Sequence, residues 1–411
     1  MAAEGDVKPK APSKPRIDAI DGCRFALVLP IVIAHFARFS TDNKRLLKIM
    51  TQENVLVGGF FVISGYVAGY TATMLGEKKA DMKKLAKPEL FFWQKVMSYY
   101  PLHFVIASLF TPMWIWVERM YNTPWHMTAF RGFLSFSMLQ AWFPKEGEIW
   151  NQPTWFLSAL TFSNLTMPAV LPRVAALGKG GLKKLFFALT AVSVLQKFSY
   201  SETARFHAHN ITSKQQYPLI WNLTRFHPFW ALIEMTMGIA AVREVMLDTP
   251  EDKKKSQVNP AVWFAAAYGT LLLRLSNALD FNDGIIRSTL FVPLYTKFLT
   301  SVHRDCISEN PSAITKFFGS KTMTTLGSLA FPMFILHGPI GQVLYKKAIA
   351  VKLWGKPMPN SFFPMYLLIC LLCSHFVNEH FVKSKKVAQV AGKVAQWLAS
   401  NTEGLLRDQE C

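Results

Sequence analysis

Two histidines, an arginine and an aspartate stand where a mostly apolar sequence tolerates them least. Residues 20–36 read IDGCRFALVLPIVIAHF, with Asp21 and Arg24 at one end of an apolar run and His35 near the other. Arg24 and His35 are eleven residues apart. On a helix that is three turns plus about 20°, so both face one side, about 16 Å apart along the axis. Pro30 between them can kink the helix. Arginine holds phosphate bidentately and never loses its charge, and a neutral histidine deep in an apolar setting can act as general base. The pair suits a ligand with an anionic head at the membrane surface and a reactive end inside, and an extended acyl-CoA has about that reach. The plainer alternative is that Asp21 and Arg24, at i,i+3, simply pair and His35 is a satisfied bundle residue.

His337 lies eleven residues into LGSLAFPMFILHGPIG, so the two histidines can meet at mid-depth; the alternative is a helix-packing hydrogen bond. In VGGFFVISGYVAGY, Gly58, Gly59, Ser64, Gly65 and Gly69 allow close helix approach, and Ser64 is also a candidate hydroxyl donor to a ligand. NQPTWFLSAL brings Gln152, Trp155 and Ser158 to the start of a span, where tryptophan ordinarily anchors at the interface. Glu234 sits inside another apolar run and is a functional candidate because intramembrane charge is costly. Arg274 and Arg287 flank a loop and read as snorkelling side chains. Cys370 and Cys373 form a CxxC within apolar LLICLLCSHF, which suits packing rather than a zinc or redox site. No metal site is expected, and no phosphate-binding glycine loop, dinucleotide fingerprint or nucleophile elbow occurs.

These residues need apolar helices to carry them. Such runs fall near 20–39, 55–75, 97–117, 153–171, 184–199, 228–246, 260–279, 285–302, 324–345 and 362–382. Each is close to the roughly 20 residues that cross a bilayer as a helix. The run at 130–143, starting beside Arg131, is short and reads as re-entrant or interfacial. The expected fold is therefore an all-α integral membrane protein, a polytopic bundle of about ten transmembrane helices plus that segment. With ten spans, the basic stretches in the first sixteen residues, 77–95, 172–184, 247–259 and the tail all fall on the cytoplasmic side, as the positive-inside rule favours. The loops at 38–48 and 346–356 are basic on the other side. Residues 1–16 form a basic arm without the apolar core of a signal peptide and are expected to be disordered. Residues 17–382 form the membrane domain, and 383–411 a cytoplasmic amphipathic tail. The segment 200–227 would face the lumen or exterior, and its sequons at Asn210 and Asn222 agree with that side.

Composition supports this division. Of 411 residues, 51% are hydrophobic and 17% charged, below the quarter usual in soluble domains. The net charge of +19 (45 basic against 26 acidic residues) is what basic membrane loops produce. No basic stripe with interleaved aromatics suggests nucleic acid as a partner. Five scattered cysteines give no disulfide framework.

Taken together, the motifs resemble the membrane acyltransferase-3 family of O-acetylases and their eukaryotic relatives. Ile20-Asp21-Gly22-Cys23-Arg24 with His35 is similar to the family's LDGLRG start followed by histidine. Phe60-Phe61-Val62-Ile63-Ser64-Gly65-Tyr66 resembles FFVLSGF, and Trp155-Phe156-Leu157-Ser158-Ala159-Leu160 resembles WSLSVE. The stretch from Gly327 to His337 resembles the late G-x-x-S-Y-x-x-Y-L-x-H pattern. The chain departs from the family where an acid precedes FFVLSGF (here Gly58), at the glutamate of WSLSVE (Leu160), and in the paired arginines before the third span (Gln94 to Pro101, keeping Lys95 but with Ser98). It reads as a divergent eukaryotic-type member.

The resemblance implies acyl-CoA, usually acetyl-CoA, as cytoplasmic donor and a hydroxyl of a sugar, lipid or small metabolite as acceptor. It implies His35, His337 and Asp21 as the catalytic set: His35 as base or acyl relay, His337 orienting the donor or assisting proton transfer, and Asp21 orienting Arg24. Arg24 and Lys95 would hold the CoA phosphates, with Ser64, Trp155 and Ser158 as further donor-binding candidates. The bilayer is the other partner, at the endoplasmic reticulum or plasma membrane, with both termini cytoplasmic. A proton-coupled carrier of an anionic metabolite, using the same buried Arg and His, is the rival reading.

Overall fold

The computed structural model describes residues 14–204, 218–254, 258–275 and 283–403. Most of the N-terminal arm, Asn210, His207, His209 and the end of the tail lie outside the described residues. Among these residues the fold is all helical, and the one β-type pairing is an isolated bridge between Thr73 and Ala80.

The principal helices in chain order are α1 (Asp18–Phe36), α2 (Glu53–Ala72), α3 (Pro88–Met97), α4 (Tyr100–Met120), α5 (Trp125–Ser137), α6 (Trp155–Ala175), α7 (Lys179–Ala204), α8 (Pro228–Met246), α9 (Pro260–Gly269), α10 (Val292–Cys306), α11 (Lys321–Ser328), α12 (Ala330–Tyr345), α13 (Phe363–Val377) and α14 (Lys385–Asn401). Among the described residues, four helical stretches are long and apolar enough to cross a membrane: 18–39, 44–72, 100–120 and 360–382. α11 and α12, bent by 51°, make a fifth if they form one broken span. The other apolar runs form helices that are shorter or more charged. α8 is buried along most of its length but carries Glu234, Arg243 and Glu244. The run at 260–279 gives only the ten residues of α9 before a 3₁₀ turn.

The 130–143 region holds the end of α5, a thirteen-residue helix starting after Pro124 and closed by Met138 in the left-handed conformation (φ 54°). At 1.5 Å per residue it is about 20 Å long, short of a span. Arg131, midway along it, reaches Glu146 at 2.8 Å and Glu118 at 3.5 Å.

Close backbone contact fixes the bundle centre. A Cβ on Gly65 would stand 1.9 Å from the Met235 carbonyl oxygen, and one on Gly238 would stand 2.1 Å from that of Val62. α2 and α8 therefore interlock through reciprocal glycines. A similar device joins α1 to the end of α11, where a Cβ on Gly327 would meet the Asp21 oxygen at 2.0 Å, and to the short helix Ala313–Gly319 before it, where a Cβ on Gly22 would meet the Phe318 oxygen at 2.0 Å. Backbone cannot yield as a flexible side chain can, so Gly238→Val should cost at least about 3 kcal/mol. Loss of the monodisperse peak in fluorescence-detected size exclusion would register it, and a normal elution profile would contradict it.

Candidate active site

α1 and α12 cross where their histidines meet. The His35 and His337 rings lie 4.9 Å apart, edge to face at 67°. Each ring is tied back to its own helix: His35 Nδ1 lies 2.8 Å from the Ile31 oxygen and His337 Nδ1 3.1 Å from the Met333 oxygen. A carbonyl can only accept, so Nδ1 is the donor in both rings, and in the tautomer with its one proton there Nε2 is an acceptor. His337 is fully buried, and its Nε2 has no hydrogen-bond partner among the described residues. His35 is half-buried. A buried acceptor without a partner is uncommon in a native interior and marks a place where a donor belongs.

Both helices carry a proline near the histidine, and both freed carbonyls are satisfied from elsewhere. Pro30 cannot donate to the Ala26 oxygen, and Tyr268 Oη donates to it at 2.9 Å. Pro339 cannot donate to the Ile335 oxygen, and Asn151 Nδ2 does so at 2.9 Å. That bond fixes the Asn151 amide, whose Oδ1 is turned against Gly338 and has no partner of its own among the described residues. Asn151 is buried, whereas the neighbouring Gln152, singled out from sequence, is exposed. The signal for Asn151 was Pro339, which obliges some side chain to donate in its place.

Asp21 and Arg24 sit at the other end of α1. Asp21 is shared, at 3.2 Å from Arg24 Nη1 and 2.8 Å from Arg16 Nη2. Asp21 is fourteen residues from His35, about 21 Å along the helix, so it can position groups at the mouth but cannot touch what the histidines touch.

Asp21 borders a cavity of about 560 Å³ lined also by Lys14, Arg16, Tyr70, Thr71 and Lys84. A second, of about 630 Å³, shares Thr71 and Lys84 and adds Lys83, Lys87, Lys95 and Ser98. Together they form a basic mouth at the C-terminal end of α2. That end exposes carbonyls and the negative pole of the helix dipole; two lysines satisfy them, and an arginine holds the loop that follows. Lys14 Nζ donates to the Tyr70 and Thr73 oxygens, Lys84 Nζ to Thr71 at 2.6 Å, and the wholly buried Arg243 to Met74 at 2.6 Å and Glu77 at 2.5 Å. Burial, then the like charges of Lys84 and Arg243, lowers the Lys14 amine to about 8. Burial, then Lys84, also draws Lys95 below the usual lysine range. Arg24 lines neither cavity.

The remaining candidates are engaged within the protein. Ser64 donates to the Phe60 oxygen of its own helix at 2.7 Å. Ser158 accepts from the Ala141 amide at 3.2 Å and fixes the turn after α5. Trp155 is buried against Phe226 and Phe61, inside the bundle rather than at an interface.

One buried pair was not foreseen from sequence. Arg287 does not snorkel. It grips Glu234 with two hydrogen bonds, Nε to Oε1 at 2.7 Å and Nη2 to Oε2 at 2.5 Å, and donates to Asn54. Gly58 makes room for it, since a Cβ there would stand 2.9 Å from Arg287 Nε. Where the resemblance leads one to expect an acid on α2, this chain has a glycine, and α8 supplies the carboxylate.

No curated protein and no solved structure matches the chain. A family model described as an acyltransferase domain matches residues 17–378, from the start of α1 past the end of α13. With four motifs in order and a match over nearly its whole length, the chain belongs to the membrane acyltransferase-3 family.

Proposed function

We propose that the protein moves an acyl group, acetyl by preference, from acyl-CoA at the basic mouth to a hydroxyl of a sugar, lipid or small metabolite. The observation that carries this reading is the His35–His337 pair, with a buried, unpartnered Nε2 on His337. In this scheme His35 Nε2 takes the proton from the acceptor hydroxyl as its oxygen attacks the thioester carbonyl. The C–S bond then breaks, and the imidazolium returns the proton to the leaving thiolate. His337 orients the reacting groups. Lys84 and Lys95 meet the CoA phosphates, and Arg24, linked to Arg16 through Asp21, takes the phosphate nearest the pore. The membrane part is a ten-span bundle with the mouth and both termini on the cytoplasmic side, as the lysine-rich 77–95 loop favours.

The test uses membranes containing the protein, radiolabelled acetyl-CoA and a hydroxyl-rich metabolite extract. Label should enter a product only when the protein is present, and the product identifies the acceptor. If a panel of acyl-CoAs of increasing length gave no product while an anionic metabolite crossed proteoliposomes, the carrier reading would replace this one.

The mouth also gives a pH dependence. Lys14 is charged below about pH 8 and neutral above it, so the mouth loses positive charge as pH rises from 7 to 9. The donor KM should rise severalfold over that interval, and the Lys14→Gln enzyme should start high and stay flat. An equal rise in both proteins would assign the effect elsewhere.

A further inference from the structure

We propose that α14 is a docking surface for anionic phospholipid, lying in the headgroup layer on the side of the membrane where the basic mouth opens. The helix has two apolar sectors side by side. One, through Ala391 and Ala395, packs on α3, and Trp93 Nε1 of α3 donates to Thr402 Oγ1 at 3.0 Å just past the helix end. The other is uncovered: Val390, Val394 and Trp397, spaced i, i+4, i+7, are 61%, 37% and 64% exposed.

Three observations identify the occupant as lipid. First, the stripe continues an exposed apolar belt. α13 turns Leu368, Leu372 and Phe376 outward, on a stretch long and apolar enough to span, and only Lys383 and Ser384 separate the end of that stretch from α14. Second, α14 carries Lys385, Lys386 and Lys393 and no acidic residue, and at 100° per residue Lys386 and Lys393 border the uncovered stripe. Third, Lys385 and Lys386 occupy the first turn, where cations oppose the helix dipole. Their position is unfavourable for the helix alone and favourable beside anionic headgroups. Apolar stripe, lysine flank and a place beside a spanning helix together define an interfacial helix. α14 clamps α3, and α3 carries Lys95, so lipid held by α14 also steadies one wall of the mouth.

The full-length protein carrying Val394→Cys, labelled with an environment-sensitive NBD dye, would be reconstituted in phosphatidylcholine vesicles and in equal parts phosphatidylcholine and phosphatidylserine. The unsubstituted chain taken through the same labelling supplies the background from native cysteines. In the anionic vesicles the emission should shift to the blue and be quenched by lipids bearing a shallow doxyl group. Each lysine near an anionic surface is worth about a fivefold change in partition. The labelled protein with Lys386→Gln and Lys393→Gln should therefore need at least about fivefold more phosphatidylserine for half the shift. Dye that stays quenchable by aqueous iodide and blind to doxyl lipid in both vesicles would overturn the proposal. A shift that depends on protein density rather than lipid charge would also overturn it and assign the stripe to a second copy. None of these readouts depends on acyl transfer.

Discussion

Replacing Glu234 by Gln should destabilise the protein by about 3–5 kcal/mol, because it leaves the Arg287 guanidinium buried without a counter-charge. Both side chains are only 4% exposed, so water cannot take the missing role. Arg287 sits in the π-helical turn 287–291, between α2, α7 and α8, where its remaining hydrogen bonds go to Asn54. The midpoint of thermal unfolding in detergent should fall by about 3–6 °C. Removing both charges together, as Glu234→Leu with Arg287→Met, should recover most of the loss, since a buried ion pair and a well-packed apolar pair are often of similar stability. If the single variant melted like wild type, the pair would not be the buried bridge described here. If the double variant melted lower than the single, packing rather than charge would set the cost.

The second large effect concerns catalysis. His35→Ala and His337→Ala should each lower acyl transfer by about 10²–10⁴-fold while leaving the fold intact. Each ring's described hydrogen bond goes to its own helix, so neither change breaks a described hydrogen bond between helices. The loss should fall on kcat rather than on donor KM, because the proposed scheme places the donor phosphates at the mouth, at least about 16 Å from the rings. Transfer at the wild-type rate by a folded His337→Ala protein would remove that residue from the scheme. A rise in KM with kcat unchanged would make it a binding residue only.

Much of this site was legible in the sequence because helical geometry converts spacing into direction. The eleven-residue interval from Arg24 to His35 and the depth of His337 in its own run were enough to bring the two histidines to one level. The small residues of the 57–70 segment likewise signalled close packing, and Gly65 provides it. What stayed hidden depends on which helices are neighbours. Nothing in the residues around 234 names Arg287, fifty-three positions away, as its partner. Asn151 becomes meaningful only once Pro339 is known to stand beside it. The buried place of Trp155 follows from Phe226 covering it, which overrides the interfacial preference of tryptophan. Hydropathy suggested about ten spans, whereas four helical stretches among the described residues, or five with the bent pair, are long and apolar enough to cross; α8, with three charges in a largely buried helix, is not among them.

The central claim, that His35 and His337 act as one acyl-transfer centre, is tested most directly by a double-mutant cycle. Labelled acyl transfer would be measured for wild type, His35→Ala, His337→Ala and the double variant at matched amounts of folded protein. Residues that act as a unit are strongly non-additive, so the double variant should be no more than a few-fold slower than the slower single variant. Independent losses that multiply in the double variant, or undiminished transfer by folded His35→Ala, would contradict it.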